Sequence, residues 1–171
     1  AKMGVCDYTN NKQRADSVLN ARVKECAPFE NVYTLALRGL HDRAMNASND
    51  MGDRKDMLQE ALMAQRQMLI DAIGKPGEEI PQAFTPYKEV LDVYDEGLEL
   101  PDDVTIIWPD DNYGYMKRLR SPKEQKRSGR SGVYYHSSYL GKPHDHLWMN
   151  TISPTLMYEE LRKLPDDGFR N

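Results

Sequence analysis

The sequence predicts an α/β fold of the parallel type, and three observations carry that prediction. Segments with helical spacing alternate with short β-rich runs. Each β-rich run is followed at once by charged, imidazole or aromatic side chains, as at the carboxyl ends of parallel strands. Of the 171 residues, 39% are hydrophobic and 29% charged, the balance of a globular chain that can bury a core.

The elements follow in order. Asn10 to Lys24 carries Ala15, Val18, Leu19 and Ala21 at helical spacing and predicts a first helix. "NVYTLAL", Asn31 to Leu37, is rich in β-formers and predicts a first strand leading into "RGLHD". The polar stretch "NASNDMGDRKD" then supplies helix-start chemistry. From Met57 to Ile73 the apolar positions 57, 58, 61, 62, 68, 69, 72 and 73 form one helical stripe. "GKPGEEIP" ends that helix with Gly and Pro. "QAFTPYKEVLDVYDEG", from Gln82, reads as a short extended run passing into a turn or short helix over Lys88 to Asp95. "VTIIW", Val104 to Trp108, reads as a compact buried strand, and "SGVYYHSSYLG", Ser131 to Gly141, as an aromatic extended segment. "SPTLMYEELRKL", Ser153 to Leu164, places Ser before a Pro at the first helical position and ends near Pro165. No fixed-period repeat or low-complexity tract interrupts the alternation.

Charge and cysteine content narrow the function classes. Lys and Arg number 23 against 27 Asp and Glu, a net charge of −4 that argues against nucleic acid as the main partner. No apolar run approaches the roughly 20 residues of a membrane-spanning helix. Tyr115 to Arg130, "YMKRLRSPKEQKRSGR", holds seven Lys/Arg against one Glu and reads as a solvated loop or a rim that attracts acidic polysaccharide. Its aromatic residues are too few for a base-stacking platform. Cys6 and Cys26 belong to no CxxC or metal-spaced cluster and read as buried thiols. The chain starts at Ala1 without a charged-then-apolar leader, as expected of a processed product or a piece of something longer.

The polar groups gather at the strand ends. Arg38, His41 and Asp42 follow "TLAL"; Lys88 and Glu89 follow "QAFTPY"; Asp110, Asp111, Asn112 and Tyr113 follow "TIIW"; His136 and Tyr139 follow "VYY". A parallel sheet puts all these ends on one face, where such folds place their active sites. Taken singly, each residue also has a structural reading. Asp110 and Asp111 read as helix caps, Glu89 as a surface partner of Lys88, Arg38 as a loop tie, and His136 as a structural imidazole. The conjunction of four such ends favours a shared pocket. His144 and His146 in "PHDHLW" lack a third ligand at a diagnostic spacing, so no metal is expected, and no phosphate loop or nucleophile motif points to a cofactor.

"YTLALRGLHD", "IPQAFTPYKEVLDVYDEGLELPDDVTIIWPDDNYGYMKRL" and "SGVYYHSSYLGKPHDHLWMNTISPTLMYEEL" resemble successive segments of the catalytic domain of glycoside hydrolase family 115, the xylan α-1,2-glucuronidases. The combination of "YKEV", "DDNYG" and "YYHxSYxG" is specific, and the similarity covers most of residues 29 to 164. The resemblance implies an inverting glycosidase that releases glucuronic acid or its 4-O-methyl ether from glucuronoxylan or aldouronic acids, at the mouth of a (β/α)8 barrel. It places Arg38, Asp42, Glu89, Asp110, Asn112, His136 and Tyr139 in the active-site set. The family's usual Gly-Met before the Arg-Gly pair is Leu35-Ala36-Leu37 here, a departure that reads as core packing.

Inversion needs one carboxylic acid and one carboxylate, roughly 6.5 to 9.5 Å apart. Glu89 and Asp42 form the first pair, with Glu89 as acid and Asp110 in reserve. Arg38 suits the uronate carboxylate, and Asn112, His136 and Tyr139 suit hydroxyls. Trp108 reads both as a sugar-stacking ring and as an inward core residue. A whole barrel takes about 250 residues, so residues 1–171 are expected to be a single segment of the barrel domain, about four of its eight β/α units, without flanking strands or accessory domains. Such a segment is expected to be inactive alone. Secretion or periplasmic export is expected from the polymeric substrate, with neither membrane nor nucleic acid as partner and a homodimer as the assembly of the full-length enzyme. The competing reading is a non-catalytic carbohydrate-binding module for acidic sugars.

Overall fold

The computed structural model describes residues 8–39, 50–111, 113–137 and 152–166. The chain forms two compact units, one of Ala1–Phe84 with Lys88–Pro101, the other of Thr85–Tyr87 with Asp102–Asn171.

In the first unit, helix α1 (Tyr8–Cys26) packs on helix α2 (Met51–Ile73) through Tyr8, Ala15 and Ala61. Helix α2 begins six residues before the apolar stripe because Asp50 caps it: Asp50 Oδ1 accepts from the Gly52 and Asp53 amides at 2.7 and 3.4 Å. It stops at Gly74, whose left-handed φ of 72° suits a residue without Cβ. Leu58, Ala61, Leu62 and Leu69 of the stripe are buried. So is Gln65 on the same face, where its Oε1 accepts from the Ala36 amide (3.0 Å) and its Nε2 donates to the Ala36 carbonyl (2.8 Å).

That amide replaces the ladder partner that Ala36 lacks at the end of a short strand. Strand β1 spans only Tyr33–Thr34, shorter than the predicted run, although the Leu35 amide still donates to the Ala83 carbonyl at 2.8 Å. It pairs in parallel with β2 (Gln82–Phe84), Tyr33 opposite Gln82 and Thr34 opposite Ala83. At Leu35-Ala36-Leu37, Leu35 is buried and Leu37 packs against the α1/α2 core, while Ala36 is exposed. After β2 the chain turns through Lys88 into helix α3 (Glu89–Asp95). Cys26 is half-buried at the end of α1, more open than the buried thiol expected, and Cys6 lies outside the described residues.

In the second unit, β3 (Thr105–Pro109) pairs in parallel with β4 (Ser131–Tyr134), with Ile106 opposite Ser131 and Pro109 opposite Tyr134. Helix α4 (Pro154–Leu161) starts as its sequence predicts, with Ser153 Oγ accepting from the Thr155 amide at 3.3 Å. The predicted single helix breaks at Arg162 and restarts as α5 (Lys163–Asp166). The restart puts Pro165 in a first turn, where its missing N–H costs no helical hydrogen bond. The fold is thus mixed α/β with parallel strand pairs. No helix among the described residues is long and apolar enough to cross a membrane.

The basic segment is less solvated than its charge suggested. The guanidinium of Arg118 makes two hydrogen bonds to Glu124, at 2.8 and 3.1 Å, and Glu124 also accepts from the Ser121 amide at 2.6 Å. Burial pushes the Glu124 carboxyl up, but these donors outweigh it and hold the group below the ordinary glutamate range. Arg127 reaches Asp102 at 3.4 Å and the Val104 carbonyl at 3.3 Å. Arg118 therefore folds the segment on itself, and Arg127 holds it to its own unit.

Candidate functional site

The strand-end residues meet in two pairs, one in each unit. In the first, Arg38 follows β1 and Glu89 follows β2, and parallel pairing brings the two ends side by side. Arg38 Nε and Nη2 donate to Glu89 Oε1 at 3.2 and 3.1 Å, and Nη2 also reaches Oε2 at 3.3 Å. Both side chains keep some contact with solvent, 19% for Arg38 and 29% for Glu89, so a ligand can reach them.

The local backbone aims Glu89. Lys88 adopts φ 52° and ψ −124°, and it is the only non-glycine residue with positive φ among those described. A lysine in that region stores about 1 to 3 kcal/mol of strain. What the strain achieves is an abrupt turn from β2 into the first residue of α3, where Glu89 also faces the favourable end of the helix dipole.

In the second unit, Asp110 is the residue after β3 and His136 stands two past β4. Asp110 Oδ2 accepts from the His136 amide at 3.1 Å, and Oδ1 makes a short contact with His136 Nδ1. A carboxylate offers only acceptors, so Nδ1 carries the proton of this contact, and in the neutral ring Nε2 is the acceptor. The Asp110 side chain has no exposed surface and His136 only 10%. Asp110 therefore orients His136 and, as it stands, touches nothing beyond the protein. The carboxyl read as the reserve acid/base is thus buried against His136.

Around that pair lies an aromatic group the sequence reading did not single out. Tyr134 is 4.4 Å and Tyr87 5.7 Å from the His136 ring, centroid to centroid, and the two phenols lie 6.5 Å apart. Tyr134 is exposed. The signal was present in "PYKE" and "VYYH", where each tyrosine directly precedes a strand-end polar group or stands two residues from it.

Trp108 takes the inward reading. It is 1% exposed, its Nε1 donates to Ser131 Oγ at 3.4 Å, and the Arg118 guanidinium lies 4.6 Å from its ring. The ring has no surface left for a sugar, so the stacking role is withdrawn. Asp111, read as a helix cap or site acid, folds the loop: its Oδ1 accepts from the Tyr113 and Tyr115 amides at 2.9 and 3.1 Å. Gly114 closes the loop at φ 91°, where Tyr135 Oη donates to its carbonyl at 2.9 Å. Burial, then the charges of Asp110, Glu160 and Asp111, pushes the Tyr135 phenol up.

His41, Asp42, Asn112, Tyr139, His144 and His146 lie outside the described residues. Among the described residues no cluster of His, Cys, Asp or Glu is arranged to hold a metal.

The model of glycosyl hydrolase family 115 matches residues 1–171. A solved structure of BtGH115A, a family GH115 4-O-methyl-α-glucuronidase with specificity for decorated arabinogalactans, is 43% identical and superposes with a TM-score of 0.91. That match covers 98% of this chain and 22% of the other. No curated protein sequence matches it.

Proposed function

Because this chain belongs to glycosyl hydrolase family 115, we propose that it is part of a glycosidase releasing (4-O-methyl-)glucuronic acid α-1,2-linked to xylan, with inversion at the anomeric carbon. The observation that carries the reading is the solvent-accessible ion pair of Arg38 and Glu89 at adjacent strand ends. It supplies the two things this reaction needs at one place: a cation matched to a uronate carboxylate, and a carboxyl group to protonate a leaving oxygen.

In this reading Glu89 is the general acid and Asp42 the base that takes a proton from the attacking water. The water oxygen bonds to C1 as the C1–O bond to the polymer breaks, and the proton from Glu89 goes to the departing oxygen. His136, positioned by Asp110, accepts from a sugar hydroxyl through Nε2, while Asn112 and Tyr139 contribute further polar contacts. The chain supplies about four of the eight units of the barrel, and its activity depends on the remainder. The polymeric substrate places the enzyme outside the cytoplasm.

The solved relative favours a second polymer, since it is described as specific for decorated arabinogalactans. The test is release of glucuronic acid from glucuronoxylan and from glucuronidated arabinogalactan. Three proteins are compared: this chain, the chain seated in the frame of the solved relative, and that chimera with Glu89→Gln. The expected result is release from glucuronoxylan by the unmodified chimera only, by roughly two orders of magnitude or more over the Gln variant. Release from arabinogalactan alone would move the substrate to that polymer. Binding of aldouronic acids without any release would replace the enzyme with a sugar-binding module.

A further inference from the structure

The Arg38–Glu89 pair poses a problem for the acid role. Arg38 donates to both Glu89 oxygens, and a guanidinium has five N–H donors and no acceptor. A proton on the face of Glu89 that Arg38 occupies would point at another donor. In this arrangement the donors of Arg38 occupy that face of the carboxyl group and touch both of its oxygens. Release of Arg38 clears that face for the proton an acid needs.

The substrate brings the means. A uronate carries a carboxylate of the same geometry as that of Glu89, able to take the same planar fork of N–H donors. The pair is partly open to solvent, so a competing carboxylate has access to it. We propose that Arg38 is exchanged between two carboxylates: the substrate's uronate draws it off Glu89, and this exchange lets Glu89 take a proton from solvent and become the acid. That proton then passes to the leaving oxygen as the C1–O bond breaks. Glu89, ionised again, recaptures Arg38 when the uronic acid departs. Recognition of the charged sugar and arming of the acid are then one event.

The consequence is a specificity device that acts on turnover as well as on binding. A neutral sugar of the same shape leaves Glu89 in the grip of Arg38, so it is bound yet cleaved more slowly. The inference rests on the glucuronidase reading and adds to it a role for the substrate's own charge.

The test uses the chimera in which this chain sits in the frame of the solved relative. Its substrates are an aldouronic acid and the corresponding oligosaccharide whose branch sugar is a pentose lacking the C6 carboxylate. The exchange predicts a kcat for the pentosyl substrate lower by ten- to a hundredfold, the range spanned by a charge-assisted hydrogen-bonded pair. Added formate, which fills the vacant place and draws off Arg38, restores several-fold of that kcat, while chloride at equal ionic strength does not. In Arg38→Ala the pentosyl kcat rises above that of the unmodified protein and formate has no further effect. A pentosyl substrate that suffers in KM alone, with kcat unchanged and unmoved by formate, overturns the exchange. The formate experiment needs no substitution, so it decides the matter even where Arg38→Ala fails to fold. Absence of glucuronic acid release from the aldouronic acid itself refutes the glucuronidase reading, a result distinct from either of these.

Discussion

Asp110→Ala removes the sole acidic side chain of the His136 pair, and the size of the loss can be worked from the contacts. Two donors lose their Asp110 acceptor, the His136 amide and Nδ1, both in a place where the Asp110 side chain had no exposed surface. A buried donor left without its partner costs about 1 to 3 kcal/mol, more where a charged group was its partner. Together with the small cavity left behind, the expected destabilisation is about 3 to 5 kcal/mol, the range for breaking a buried pair from one side. Asp110→Asn keeps the shape and one acceptor oxygen for the His136 amide, so its cost is about 1 to 2 kcal/mol. The amide NH2 then faces Nδ1 and forces it to become the acceptor, which moves the ring proton to Nε2.

Urea denaturation measures the first effect. With a slope near ~2 kcal/mol per molar, the Ala variant unfolds about 2 M earlier and the Asn variant less than 1 M earlier. Nitrogen-15 chemical shifts of the His136 ring measure the second: the wild type has its proton on Nδ1 and the Asn variant on Nε2. An Ala variant within 1 kcal/mol of the wild type, or an Asn variant with an unchanged tautomer, refutes the positioning role.

Three further outcomes follow from the same geometry. Gly114→Ala places a Cβ within 2.8 Å of Tyr135 Oη and 2.9 Å of Ile152 Cγ2 at φ 91°, so strain and overlap together cost about 2 to 4 kcal/mol, read as an earlier thermal or urea transition. Gln65→Leu strips both partners from the Ala36 backbone, which is itself exposed and can turn to water; the cost is about 1 to 2 kcal/mol, with faster amide exchange at Ala36 and a less ordered Arg38. Acid weakens the second unit through Glu124 and Glu160. The Lys163 ammonium (2.6 Å) and the Met116 amide (3.0 Å) hold Glu160 below its ordinary range against burial, as Arg118 and Ser121 do for Glu124. Both carboxyls bind protons more readily when unfolded, so their stabilisation is complete above the ordinary glutamate range near ~4.3 and disappears as pH falls through the lower folded values. Urea midpoints at pH 6 and pH 3 check this, and Glu124→Gln flattens the difference.

What the sequence disclosed was set by how local each cause is. Helix α2 was legible because its apolar stripe repeats over five turns, and its true start at Met51 rests on a single cap, Asp50, in a stretch where Asn46, Ser48 and Asn49 offered the same chemistry. Gln65 was not legible as a core residue, since the reason for its burial is a backbone amide and carbonyl 29 positions away. That Arg38 and Glu89 share one face was legible from parallel strands alone, which carry their ends to the same side, whereas their pairing was not, since Glu89 read as a surface partner of Lys88.

Strand β3 shows the opposite case, a signal that was present and outweighed by composition. Side chains on a strand alternate between faces, and Val104, Ile106 and Trp108 share one face, all buried. Their parity already assigns the indole inward, whatever its chemical aptitude for sugars. The same period reaches Asp110, which is also buried, so the face that makes Trp108 a core residue carries a carboxylate below the surface one step beyond the strand. A carboxylate so placed has to be satisfied within the protein. The neighbouring parallel strand delivers His136 to it, two residues past its own end. The acidic loop that looks like an array of catalytic groups is therefore divided by strand parity: Asp110 turns inward to hold an imidazole and Asp111 folds the loop, whereas Glu89, after an earlier strand, keeps solvent contact in its pair with Arg38.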